Sequence, residues 1–125
     1  MSKAEEKISL APFDWVIDNK LKKAGVVLSC NDFGDLTVNV SNRYLCMRTE
    51  DKISPLPLTK EILEKNGWEL HDDVFINKDE NISNIIFSTS GKFILGGVFV
   101  IEYVHQLQQY LRLDGDIDFA NNLKV

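Results

Sequence analysis

Cysteine is scarce in this chain. Its two thiols, Cys30 and Cys46, form no Cys-x-x-Cys pair and lie far in sequence from the two histidines, His71 and His105. That spacing excludes the usual zinc and dithiol motifs. Long apolar runs are also missing, none nearing the roughly 20 residues of a membrane-spanning helix. So are a phosphate-binding glycine loop, a dinucleotide fingerprint and a nucleophile elbow. Positive charge is in deficit, 14 Lys and Arg against 19 Asp and Glu for a net charge of −5. A protein that lives on phosphate contacts normally carries the opposite balance, so nucleic acid is disfavoured as a partner. These absences leave no cofactor and no metal to expect. The charged start, Met1 to Lys7, lacks the apolar stretch of a secretory signal. The expected location is therefore cytoplasmic, away from membranes, with both thiols reduced, dispensable, and buried or half-buried as small apolar groups.

What is present is an ordinary globular balance, 44% apolar and 26% charged over 125 residues. A chain of this length buries about two-thirds of its unfolded surface and needs no staple. The whole of 1–125 is expected to form a single domain, of class α+β. Phe13, Trp15 and Ile17 fall on one side of an extended segment, with Asp14 and Asp18 on the other. Val26, Leu28 and Cys30 alternate with Val27 and Ser29, and Leu36, Val38 and Val40 with Thr37, Asn39 and Ser41. This period of two predicts an antiparallel β-meander over 13–54, with a hairpin loop at 31–35 and a last strand from Tyr44 to Arg48.

Pro55 and Pro57 break the ladder pattern. Thr59 then predicts a helix N-cap, Glu61 suits the first turn, and Gly67 closes a helix near 60–66. Further strands are predicted at Trp68–Leu70, Val74–Ile76, Ile82–Ser88 and Phe93–Ile101, about seven short, mostly antiparallel strands in all. Gly96 and Gly97 inside the last of them predict a bulge or a close backbone approach. A second helix is predicted near 102–113, with Val104, Leu107 and Leu111 as its apolar face and His105 set round from that stripe. The second half thus runs over 55–115, and 116–125 reads as a solvated tail.

Two blocks carry a resemblance. Pro55-Leu56-Pro57-Leu58-Thr59-Lys60-Glu61-Ile62-Leu63 with Gly67-Trp68, and Tyr103-Val104-His105-Gln106-Leu107-Gln108 with Leu113-Asp114-Gly115, resemble paired motifs of small uncharacterised proteins of Bacteroides-type bacteria, their prophages and phages. In those proteins the opening strand often reads L-R-I-G-N-x-V. Leu10 to Val16 is loosely similar to it but lacks the glycine. The resemblance implies a phage or mobile-element setting and a host or phage protein as partner, and it carries no catalytic residue. The order of elements further resembles a small Tudor- or KOW-like barrel segment followed by a helix, a meander and a final helix.

Three readings of function compete. The first is a non-enzymatic interaction or regulatory module, since many short strands leave edges for a partner and no catalytic constellation is visible. The second is a nucleic-acid-binding accessory protein, using Lys22 and Lys23 with Trp15, Phe33 and Tyr44 as an aromatic recognition surface. Core packing competes for those aromatics, and for Trp68. The third is a small enzyme centred on His71, Asp72, Asp73 or His105. It lacks a partnered nucleophile or base, and an exposed polar turn explains the first three. Asp114-Gly115-Asp116-Ile117-Asp118 imitates the start of a calcium loop, but Phe119 and Val125 stand where the loop needs its glycine and bidentate glutamate.

Overall fold

Alternation before Pro55 and after Gly67 becomes two separate antiparallel meanders. A computed structural model describes residues 10–31, 35–41 and 44–125. Among them are ten strands, all paired antiparallel, and three α-helices. The chain divides into two compact units, Met1–Leu56 and Pro57–Val125. The boundary falls inside the proline-marked break.

The first unit contains β1 (Trp15–Asp18), β2 (Lys23–Cys30), β3 (Asp35–Ser41), β4 (Tyr44–Thr49) and β5 (Ile53–Pro55), with a 3-10 turn at Glu50–Lys52. The strand order is β4-β3-β2-β1-β5. Val16, Val27, Leu36, Val38 and Ile53 form its buried core. Arg48 on β4 reaches Asp18 on β1 at 3.0 Å, three strand steps away in that order. Three steps in a flat sheet would be about 14 Å. The sheet therefore curls, and the first unit is barrel-like, as the order of elements implied.

The parity expected for β1 holds, but its buried side is the opposite one to that suggested by hydrophobicity. Phe13 is 46% exposed and Trp15 and Ile17 are half-buried, while Asp14, Val16 and Asp18 are fully buried. Each inward carboxylate has hydrogen bonds that make burial tolerable. Asp14 Oδ2 accepts from the Ala11 amide at 2.9 Å, and Asp18 Oδ1 accepts from the Lys20 amide and Arg48 Nε. Val16 lies opposite Gly25, where a Cβ would come within 2.7 Å of Val38 Cγ1. Phe13, the residue before the buried Asp14, has φ 74. That left-handed conformation costs a side-chain-bearing residue about 1–2 kcal/mol.

Of the alternating set in β2 only Val27 is buried. The register slips between Val27 and Ser29, and Leu28, Ser29 and Cys30 are all exposed. The expectation of a buried or half-buried thiol is thus corrected for Cys30, which is exposed. The Cys46 side chain lies outside the described residues. Cys30 should react with a thiol reagent in the native protein at a rate near that of the unfolded chain, and Cys30→Ser should leave stability within about 0.5 kcal/mol. Strong protection from the reagent would contradict the exposed placement.

The second unit runs α1 (Lys60–Lys65), β6 (Trp68–His71), β7 (Val74–Asn77), β8 (Ile85–Phe87), β9 (Phe93–Leu95), β10 (Phe99–Ile101), α2 (Val104–Leu113) and α3 (Ile117–Asn121). Thr59 caps α1, its Oγ1 accepting from the Ile62 amide at 3.2 Å. Strands β6 to β10 form one meander in chain order. The expected single strand Phe93–Ile101 is corrected to a hairpin. Gly96 and Gly97 have φ 62 and 78 and the Val98 amide bonds back to the Leu95 carbonyl, so the pair turns the chain as only glycines do cheaply. The close approach expected there is also present, since a Cβ on Gly96 would lie 2.8 Å from Tyr110 Oη.

Helix α2 buries Val104, Leu107 and Leu111 completely, and Gln108 with them. It ends in a Schellman arrangement. The Asp116 amide bonds to the Leu111 carbonyl and the Gly115 amide to that of Arg112, with Gly115 at φ 92. The expected solvated tail after it is corrected: it contains α3, Ala120 and Leu123 are buried, and Phe119 meets Trp68 edge-on at 5.5 Å. Gln108 Nε2 donates to the Ala120 carbonyl, and the Asn66 side chain holds both the amide and the carbonyl of Lys124.

Leu107→Ala should cost about 2–5 kcal/mol, because nothing at a fully buried site relaxes cheaply into the space. His105 is 6% exposed and stacks on Tyr103, so its truncation is also felt, but less. Urea unfolding of the two variants beside the parent checks the order. A more damaged His105→Ala would reverse this assignment of the helix face.

Candidate functional site

The two edges of the second sheet are treated differently by the sequence. At one edge, β6 presents Glu69 and His71, both exposed and 3.5 Å apart, and it ends in the exposed Asp72-Asp73 turn. Charges of this kind keep a free edge from pairing with another chain. At the other edge, β10 has β9 on one side and, among the described residues, no strand of its sheet on the other. It offers Phe99 and Val100, exposed by 55 and 47%, with Val98 in the turn before it exposed by 73%. No charged residue occurs between Lys92 and Glu102.

Both faces of this edge strand are apolar. The register places Val74, Ile86, Ile94 and Val100 in one row across β7, β8, β9 and β10, and Val100 ends the row at the open edge. Phe99 points the other way, toward α2, with its ring 5.7 Å from that of Tyr110. Between β10 and α2 runs an open groove of about 450 Å³, lined among others by Phe99, Gln109, Tyr110, Leu113 and Asp114. Leu113 is 90% exposed at its end.

The groove walls are held from below. Gln106 Oε1 accepts from the Glu102 and Tyr103 amides at 2.8 and 3.0 Å, capping α2 as it leaves β10. Asp114 Oδ2 accepts from Ser83 Oγ at 3.0 Å, tying the far end of the helix to the loop before β8. In an antiparallel pair, alternate residues turn their N–H and C=O toward the partner and those between turn theirs away. The arrangement therefore suits an extended chain laid beside β10, bonded through its backbone and seating alternate side chains in the groove.

The residues singled out in sequence are placed elsewhere. Trp15 is half-buried on β1 opposite Val26, on the face away from the core. Lys22 is exposed in the following turn with φ 57. Lys23, also exposed, pairs in register with Asp18 and so belongs to the opposite face from Trp15. Phe33 and the side chain of Tyr44 lie outside the described residues. Trp68 is core, 2% exposed, with its indole N–H on the Ser83 carbonyl at 3.0 Å. His71, Asp72 and Asp73 form the exposed hairpin turn. His105 is buried in α2. Neither histidine is brought to a nucleophile by the contacts described. Among the described residues there is no group of three or more His, Cys, Asp or Glu able to hold a metal ion, and no helix long and apolar enough to cross a membrane.

Phe99, Val100 and Leu113 went unmarked in sequence. The available signal was the stretch from Phe93 to Ile101, apolar and uncharged, with a glycine pair to turn it into an edge. No protein-family model, curated protein or solved structure matches the chain.

Proposed function

We propose that this protein is a non-enzymatic interaction module of a phage or mobile element, which binds a host or phage protein along the open β10 edge and the groove beside it. The observation that carries the reading is the contrast between the two edges of one sheet: β6 is guarded by Glu69, His71 and the Asp72-Asp73 turn, while β10 has no outer strand among the described residues and is apolar on both faces. An exposed, uncharged edge strand is an aggregation hazard that proteins ordinarily blunt, and leaving it open is what strand-addition binding requires. Reduced, cytoplasmic working conditions accord with this role.

The test replaces Val98 with a photo-reactive phenylalanine analogue and cross-links in the native host. One host or phage protein should be captured, and the same pair should associate when purified. Leu113→Asp and Phe99→Ala should abolish capture, whereas Lys22→Ala with Lys23→Ala should leave it intact. Capture that ignores the groove variants and depends on the lysines would defeat the reading.

A further inference from the structure

The composition of the second unit says what kind of segment this edge takes. Of the 14 basic and 19 acidic residues, 8 and 8 lie in 1–56, and 6 and 11 in 57–125, so the net charge of −5 belongs to the second unit. The groove repeats that bias locally. Asp114 lines it, exposed Glu102 follows directly on β10, and among the described residues no lysine or arginine lines it. We infer that the occupant is an extended basic segment of another protein, adding a strand to β10. Its alternate apolar side chains would seat against Phe99, Tyr110 and Leu113, the lysines or arginines between them would lie on the opposite face beside Glu102, and a basic residue where the segment leaves the groove would face Asp114. This rests on the docking surface proposed above and adds the chemistry of what docks.

A second copy of the chain fits the same edge less well. Pairing β10 with β10 would bring two units of net charge −5 together, with Glu102 beside both edges, and like charge opposes association at a shared interface. A basic strand gains from the same field in rate and in selection against acidic competitors. The groove itself supplies the apolar contact, so the binding should survive physiological salt although salt weakens its charge preference.

The probes are labelled synthetic peptides about ten residues long, the span of an ordinary strand with its flanks. One alternates lysine and valine, one alternates glutamate and valine, and the third is the lysine peptide N-methylated at alternate backbone positions. Fluorescence anisotropy with the full chain should give binding of the lysine peptide, at least about tenfold weaker binding of the glutamate peptide, and none of the N-methylated one. Leu113→Asp should abolish binding. Asp114→Asn combined with Glu102→Gln should bring the two peptides within about threefold of each other, with the circular dichroism unchanged.

Equal or tighter binding of the glutamate peptide would overturn the basic occupant, and undiminished binding of the N-methylated peptide would overturn strand addition. If no peptide binds while the cross-linked partner still depends on Leu113, the occupant is wrong and the docking surface stands. If the partner ignores Leu113 and Phe99, the docking surface itself falls. A sedimenting dimer that Leu113→Asp dissolves would put a second copy at the edge and overturn the proposal.

Discussion

Arg48→Ala should cost about 3–5 kcal/mol, the usual penalty for leaving one partner of a buried ion pair alone. Asp18 is fully buried, and Arg48 Nε, 15% exposed, is the charge that answers it. The Lys20 amide also donates to Oδ1 but carries no charge, and the other oxygen, Oδ2, has no hydrogen-bond partner among the described residues. Against the roughly 5–15 kcal/mol that holds a small fold together, such a loss comes near to unfolding the first unit. Asp18→Leu combined with Arg48→Met should recover most of it, because removing both charges also removes the need to desolvate them. Urea unfolding of the single and double variants measures this. A single variant within about 0.5 kcal/mol of the parent would mean that water answers the carboxylate instead.

The same pair sets a response to acid. Burial alone would raise the Asp18 pKa. The Arg48 hydrogen bond, the Lys20 amide, the Arg48 charge and the Leu21 amide together outweigh it and hold the carboxyl below its ordinary 3.8. A depressed carboxylate contributes stability that is fully present above its unfolded value and is lost as pH falls through its folded one. The first unit should therefore weaken progressively below about pH 4. In Asp18→Asn that part of the acid slope should be absent.

Trp68→Ala is expected to be comparably severe for the second unit, about 3–5 kcal/mol. Trp68 is a fully enclosed side chain of β6, and three contacts end together when it is truncated. Its apolar bulk leaves a cavity, its indole N–H leaves the Ser83 carbonyl, and Phe119 of α3 loses the ring it meets edge-on. Trp68→Phe keeps most of the volume and should cost markedly less, near the net value of about one hydrogen bond, 0.5–1.5 kcal/mol, plus imperfect packing. Thermal unfolding followed by circular dichroism separates the two. Equal damage from both would assign the whole effect to the Ser83 bond.

The sequence makes the helices and most strands legible because their signals are local. Thr59 and Gly67 bracket α1, and the three-and-four spacing of Val104, Leu107 and Leu111 declares the buried side of α2. The inverted face of β1 was not legible, since hydrophobicity assigns Phe13, Trp15 and Ile17 to the core. What reverses it is a hydrogen-bonding partner for Asp18 that lies thirty residues away in sequence. Gly96 and Gly97 were read as punctuation within a strand, and only the backbone distinguishes a bulge from a turn when two glycines stand together. In α3 the acidic run from Asp114 to Asp118 masked Ala120 and Leu123, which are held down by Gln108 and Asn66 from earlier parts of the chain. The candidate site depended on strand order, which periodicity does not encode. A charge-free segment is visible in sequence, but that it forms an edge is a fact of topology.

The division at Leu56 and Pro57 also bears on how the protein stays dissolved. The first unit has as many acidic as basic residues, and a surface with no net charge has little to oppose self-association near neutral pH. The second unit contributes the whole excess of negative charge, and with it the mutual repulsion that keeps molecules apart. The acidic half thus acts as a covalently attached colloidal stabiliser for the neutral one. Acidification toward the overall isoelectric point near 5.0 removes that service, so precipitation should begin while Asp18 is still ionised and the barrel-like sheet is still folded.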